Sequence, residues 1–310
     1  MAGIGVRLNK IFGRNTLTTN MIGFFYSTLV TVAPMFAIII NLVLMEYFLK
    51  FSTLGYAQRE LFSCTILYTF IFSLLTASPF NAVLSRYISD VIYEERYQDI
   101  LPCYHIGMML NIVLSCLVGI PFCLWEHFVG GVSVAYVFAG FWCYISLVFV
   151  FYSMIYLSIC KDYQRIAQYY IVGMLVAFFL SLFLRYICHW GITQSMLAAM
   201  DAGFFLTAVL ENALVKRYFR KNSNRYKPVL SYFKMYWQLV VTNFLYILGL
   251  YVHNFVFWTT DMRMVVVDSF VCNQPYDMAS CLAMFTNISA TIIFIARVEM
   301  YFHEKYKLYS

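Results

Sequence analysis

The sequence predicts an all-α polytopic membrane protein of about eight transmembrane helices, a six-helix bundle followed by an incomplete second bundle. Three observations carry that prediction. Only 12% of the 310 residues are charged and 62% are hydrophobic, whereas a soluble domain carries about 25% charged residues to coat its surface. Eight apolar runs each reach the roughly 20 residues that a helix needs to cross a bilayer. The segments between them alternate between rich and poor in Lys and Arg, the pattern that cytoplasmic and external loops leave in a sequence.

Residues 1–20 are polar, with Arg7, Lys10 and Arg14, and read as a cytoplasmic N-terminal segment. The apolar runs follow at 21–48, 62–84, 103–125, 132–157, 166–187, 192–215, 235–258 and 278–300. The first is far longer than the ~7–15-residue core of a signal peptide, so it reads as a retained helix. Pro34 and Pro79 fall within or at the end of the first two runs. A proline removes a backbone donor and crowds the preceding turn, so both helices are expected to bend. Residues 21–215 make the six-helix bundle. The segment 216–234 is the longest polar break, dense in Lys and Arg and carrying Pro228, and reads as a basic cytoplasmic linker. Residues 235–310 then supply the first two helices of the second bundle.

The charge-rich connections hold Arg86 and Arg96, then Lys161 and Arg165, then the linker, then Lys305 and Lys307. The opposite connections hold only Lys50, Arg59 and Arg263, with Arg185 near a helix end. Because Lys and Arg concentrate in cytoplasmic loops, both ends of the chain are expected on the cytoplasmic side. The net charge of +6 is thereby read as topology, and no nucleic-acid partner is expected. The bilayer itself is the first partner. Aromatic residues reach 20%, in keeping with rings anchored at both membrane interfaces.

Signatures of common catalytic and cofactor chemistry are missing. The sequence holds no G-x-x-x-x-G-K-[ST] phosphate loop, H-E-x-x-H or G-x-S-x-G, and no Asp-x-Asp pair. No enzyme activity, metal or other cofactor is expected. The nine cysteines show no ligand spacing; most lie in apolar runs, and Cys188 with Cys272 is the one pairing that an outward location of both would allow.

A few polar residues stand where lipid makes them costly. Asp201, in LAAMDAGFF, lies near the middle of the sixth run; a carboxylate at that depth costs about 2.5–3.5 kcal/mol on insertion scales. It is a candidate proton or substrate site, with a bonded structural role as the alternative. Asn243, Asn287 and His253 join it as candidates, the asparagines as interhelical hydrogen-bonding groups, and His253, with Asn254, as groups facing an external vestibule. Glu211, Arg297 and Glu299 read as structural charges. A membrane-embedded glycan enzyme using Asp201 and Glu211 is a further alternative. On the extension of the second helix, Arg86 stands four residues before Asp90, spacing that favours an ion pair on one helix face. Asp90, Glu94 and Glu95 are a solvated face or a docking surface.

Several blocks, taken in order, resemble the PelG family, inner-membrane transport components of Pel-type exopolysaccharide systems within the multidrug/oligosaccharidyl-lipid/polysaccharide exporter superfamily. They are MAGIG at 1–5, TVAPMFAII around Pro34, LLTASPFNAVLSRYISDVIYEE around Pro79, YLSICKDYQRI at 156–166, LYILGLYVHNFVFW at 245–258 and YDMASCLAMF…ARVEMYFHEKY at 276–306. At His253–Asn254 the family pattern is an Asp-Lys pair, so no role of that pair transfers here. The resemblance implies export of a polysaccharide by alternating access across the bacterial inner membrane. It implies as partners a cytosolic glycosyltransferase and other inner-membrane subunits. It also implies two bundles of about six helices, so the second bundle of this chain is expected to be truncated. A non-transporting scaffold for the glycosyltransferase, and a related lipid-linked oligosaccharide flippase or drug exporter, are the alternatives.

Overall fold

The computed structural model describes residues 17–160, 162–283 and 286, with side chains from residue 32 onward. Helix α1 spans Leu17–Phe48, α2 Tyr56–Ala77, α3 Asn81–Tyr93, α4 Ile100–Phe128, α5 Val134–Ile159, α6 Tyr163–Tyr186, α7 Ile192–Tyr218, α8 Lys227–Met235 and α9 Trp237–Trp258. A hairpin of β1, Met264–Val266, and β2, Phe270–Cys272, follows, and residues 274–283 are again helical. Among the described residues six helices are long and apolar enough to span a bilayer: α2, α4 with the turn before it, α5, α6, α7 and α9. The eighth expected span, 278–300, lies mostly outside the described residues.

Pro34 sits inside α1, which continues through it. Pro79 acts differently and separates α2 from α3. Lacking an N–H, it cannot bond the Leu75 carbonyl; the Ser78 hydroxyl takes that carbonyl instead, at 3.4 Å. The Ser78 carbonyl is met by the Asn81 amide at 3.0 Å. What reads as one run over 62–84 is therefore two helices joined at a three-residue break.

Helix α5 is the centre of the bundle and packs on α7, α2 and α4; α7 also packs on α6, and α6 on α1. Small residues allow the closest of these approaches. Gly173 of α6 and Gly203 of α7 face each other so tightly that a Cβ built on Gly203 would stand 2.7 Å from the Gly173 carbonyl oxygen and 2.8 Å from the Ala177 Cβ. Van der Waals contact between backbones replaces the hydrophobic driving force that lipid does not provide.

The connections gather on two faces, as the charge alternation predicts. At the basic end the Ser223 amide donates to the Gln98 carbonyl and the Tyr218 hydroxyl to Asp162. At the charge-poor end the Tyr186 hydroxyl reaches the Phe48 carbonyl at 2.7 Å, and Ser269 of the hairpin loop reaches Glu126 at 2.6 Å. The hairpin is the element that the sequence reading missed. Its loop starts with Val267 and Asp268, both at positive φ, 51° and 56°. A β-branched residue is an outlier there, so the Asn-Gly signal that announces such turns is absent.

Within the 216–234 segment, coil gives way to α8, whose Tyr232 and Phe233 pack against the cluster around Tyr87 and Tyr104. The Cys188–Cys272 pairing that the sequence allows does not occur. Cys272 is buried, while Cys188 is exposed. The reason is the hairpin, which folds β2 back over α2.

Candidate functional site

The described candidates stand in separate environments. Asp201 lies in the α5–α7 interface, where it accepts a hydrogen bond from the Ser146 hydroxyl at 2.9 Å. Asn243 of α9 donates to the Ser78 carbonyl, beside the Pro79 break. His253 packs edge-on against Tyr276, ring centroids 5.6 Å apart. Its neighbour Asn254 is buried and donates to Asp277 at 2.7 Å. Asp277 also accepts from the Trp258 indole at 3.2 Å and from the Asn273 amide at 3.0 Å, so its carboxylate ties α9 to the helix that follows. Asn287, Arg297 and Glu299 lie outside the described residues.

Glu211 is wholly buried, and neither carboxylate oxygen has a hydrogen-bond partner among the described residues. It sits near the basic end of α7, within electrostatic reach of Tyr104 and Tyr170. These belong to a buried cluster with Tyr152 and Tyr156. The tyrosine hydroxyls are already engaged: Tyr104 with Ser153 at 3.0 Å, Tyr152 with the Tyr104 carbonyl at 2.7 Å, Tyr170 with the Met154 sulfur at 3.2 Å. Asp201 and Glu211 are ten residues apart on one helix, about 15 Å at 1.5 Å per residue. A glycosidic bond is flanked by carboxyls about 5–9.5 Å apart, so these two cannot work on one bond together.

The geometry instead gathers a polar site at the charge-poor end. A hollow of about 600 Å³ opens between α1, α2 and the helix at 274–283, lined by Glu46, Tyr47, Tyr56, Arg59, Glu60 and Gln274 among others. Glu60 is buried and accepts from Gln274 at 3.0 Å. The Arg59 Nε is buried with no hydrogen-bond partner among the described residues. Tyr47 and Tyr56 stand exposed at the rim. Carboxylate acceptors beside amphipathic rings suit a hydroxylated or amine-bearing solute. These residues flank the 49–55 connection, where the sequence reading took Lys50 and Arg59 only as topology signals and passed over the two glutamates. A cluster of chargeable residues on either side of a short connection was the signal available.

At the opposite end, Arg86 pairs with Asp90 at 3.5 Å, as the i, i+4 spacing predicts. Asp90 also accepts from the Tyr232 hydroxyl of α8 at 3.1 Å. Partial burial, and then the bond to Asp90, raise the Tyr232 phenol above its ordinary value, so it remains the donor. Among the described residues no cluster of His, Cys, Asp and Glu is placed to hold a metal.

No curated protein and no solved structure matches the chain. The family described as "PelG: Putative exopolysaccharide Exporter (EPS-E)" matches residues 1–310. With several membrane-spanning helices, one after another, and a family match over its whole length, the chain is a multi-pass membrane protein belonging to the PelG family of exopolysaccharide exporters.

Proposed function

We propose that this chain moves polysaccharide outward across the bacterial inner membrane by alternating access, with residues 21–215 as one moving body and α9 opening the next. The observation that carries the reading is the Asn243 bond to the Ser78 carbonyl. It joins α9 to α2 at the one point where Pro79 has already interrupted the helix. Bodies that rock against each other must make and break such a contact at their seam, so it is a place where the motion can be locked. The hollow lined by Glu46, Glu60 and Tyr47 is the outward mouth. Its rings stack on sugar faces and its carboxylates accept from hydroxyl or ammonium groups. The basic face is cytoplasmic, with both chain ends there, and receives polymer from a glycosyltransferase and other membrane subunits.

The test is a reversible lock. With Cys188 and Cys281 replaced by Ser, Ser78→Cys and Asn243→Cys are combined and export of surface polysaccharide is followed. Oxidation to the cross-link is expected to stop export, and reduction to restore it. Undiminished export by the cross-linked chain would sink the rocking mechanism. A scaffold reading has the joined α3–α8 surface in its favour, where Tyr232 holds Asp90 beside exposed Glu94 and Glu95. That reading predicts export from the locked chain.

Asp201 is proposed as a coupling residue. Asp201→Asn keeps an oxygen for the Ser146 donor, so stability should change by no more than about 1 kcal/mol. Export is expected to fall to background while the protein level in the membrane is unchanged. Normal surface polysaccharide in that variant would leave Asp201 a purely structural role.

A further inference from the structure

We propose that a cavity between α2, α4 and α5, separate from the outward hollow, binds a long-chain amphiphile with a primary ammonium head. The cavity measures about 310 Å³ and its walls include Phe72, Phe122, Tyr136, Phe141 and Phe270, with Glu126 at one end. Liquid water occupies about 30 Å³ per molecule, so the space is roughly ten waters large, and close-packed interiors leave few voids larger than a single one. It is a built space, and its lining is apolar and aromatic.

The hydroxyl groups along it are spent on the protein, and the Glu126 carboxylate is not fully so. Thr65 bonds the Leu61 carbonyl at 2.7 Å and shares a hydrogen bond with Tyr136 at 3.1 Å. Thr69 bonds the Ile66 carbonyl at 2.8 Å, Tyr144 donates to Thr76 at 3.0 Å, and Tyr68 to the Val271 carbonyl at 2.6 Å. Glu126 is only 3% exposed. One of its oxygens accepts from Ser269 at 2.6 Å, and the other has no hydrogen-bond partner among the described residues. A ligand must therefore bring a donor to one end and offer nothing polar along the rest.

The shape sets the kind of molecule. Glu126 lies two residues from the charge-poor end of α4, and the lining descends that helix to Val118. Eight residues of helix are about 12 Å, parallel to the lipid chains if α4 crosses the bilayer. A hydrocarbon chain fills that length, and its ammonium meets the free Glu126 oxygen in a charge-assisted bond, with the aromatic rings around it favouring a cation. The site stands whether or not the export mechanism above is correct.

The full chain in phosphatidylcholine nanodiscs should bind radiolabelled dodecylamine above the level of empty nanodiscs, and dodecanol about tenfold more weakly, since the alcohol forgoes a charged hydrogen bond. Glu126→Gln is expected to remove that preference. Gly140→Leu fills the cavity with little strain, because a Cβ there has its nearest neighbour at 3.6 Å; it should abolish binding of both. Equal binding of amine and alcohol by the parent chain would refute the ammonium site. Unchanged binding by Gly140→Leu would refute the location, even if Glu126→Gln fails to fold.

Discussion

Gly203→Ala should unfold the bundle at temperatures where the parent chain is intact, with a loss of about 3 kcal/mol or more, at the upper end for an overpacked core. The added methyl has no direction in which to relax. It would stand 2.7 Å from the Gly173 carbonyl oxygen and 2.8 Å from the Ala177 Cβ, so two helix backbones must part. The parting also stretches the hydrogen bond from the Thr207 hydroxyl to the Tyr169 carbonyl of α6, 3.4 Å long. Gly249→Ala is the matched control, because nothing lies within 4 Å of a Cβ there; on helix propensity alone it should gain about 0.5–1 kcal/mol. Thermal melting in detergent separates the two. Equal midpoints for both variants would mean that α6 and α7 do not meet at these glycines.

The second large effect is expected at Glu211, with the opposite sign. A buried carboxyl with no partner pays for its lost water without return, about 2.5–3.5 kcal/mol on membrane insertion scales. Glu211→Leu should therefore melt several degrees higher than the parent chain, and Glu211→Lys should fail to accumulate in the membrane. If the carboxyl is kept for the transport cycle, Glu211→Leu will export less polysaccharide despite its greater stability. A Glu211→Leu chain that melts lower than the parent would show that the carboxyl is paired.

These two predictions differ in how far the sequence could have led to them. Glu211 was visible as an acid in an apolar run, but its lack of a hydrogen-bond partner among the described residues was not. Asp201, ten residues earlier on the same helix, looks equally costly in sequence and has Ser146 as a donor. Only the packing of α5 on α7 tells them apart. Gly173 and Gly203 carry no signal in one sequence, since any glycine in a helix reads alike until its neighbour across the interface is known. The Arg86–Asp90 pair was legible because both residues sit on one helix four apart. The Pro79 break was legible as a bend, because the missing donor is a property of proline itself. Asn243, by contrast, reads as one polar residue among apolar ones, and its partner is a backbone carbonyl 165 residues away.

What the sequence determined alone is the solvent and the order of crossings. Charge is too scarce for water, apolar runs match the thickness of a bilayer, and Lys and Arg alternate from loop to loop; each is a local property that folding cannot alter. The tertiary structure decided which polar groups are paired, where the backbones touch and where space remains. The polar hollow beside α1 and α2, the cavity under the hairpin and the separate surroundings of Asp201 and Glu211 arise from contacts between residues distant in the chain. Periodicity in a single sequence has no record of them, because in lipid every helix face is apolar whether it meets a neighbour or an acyl chain.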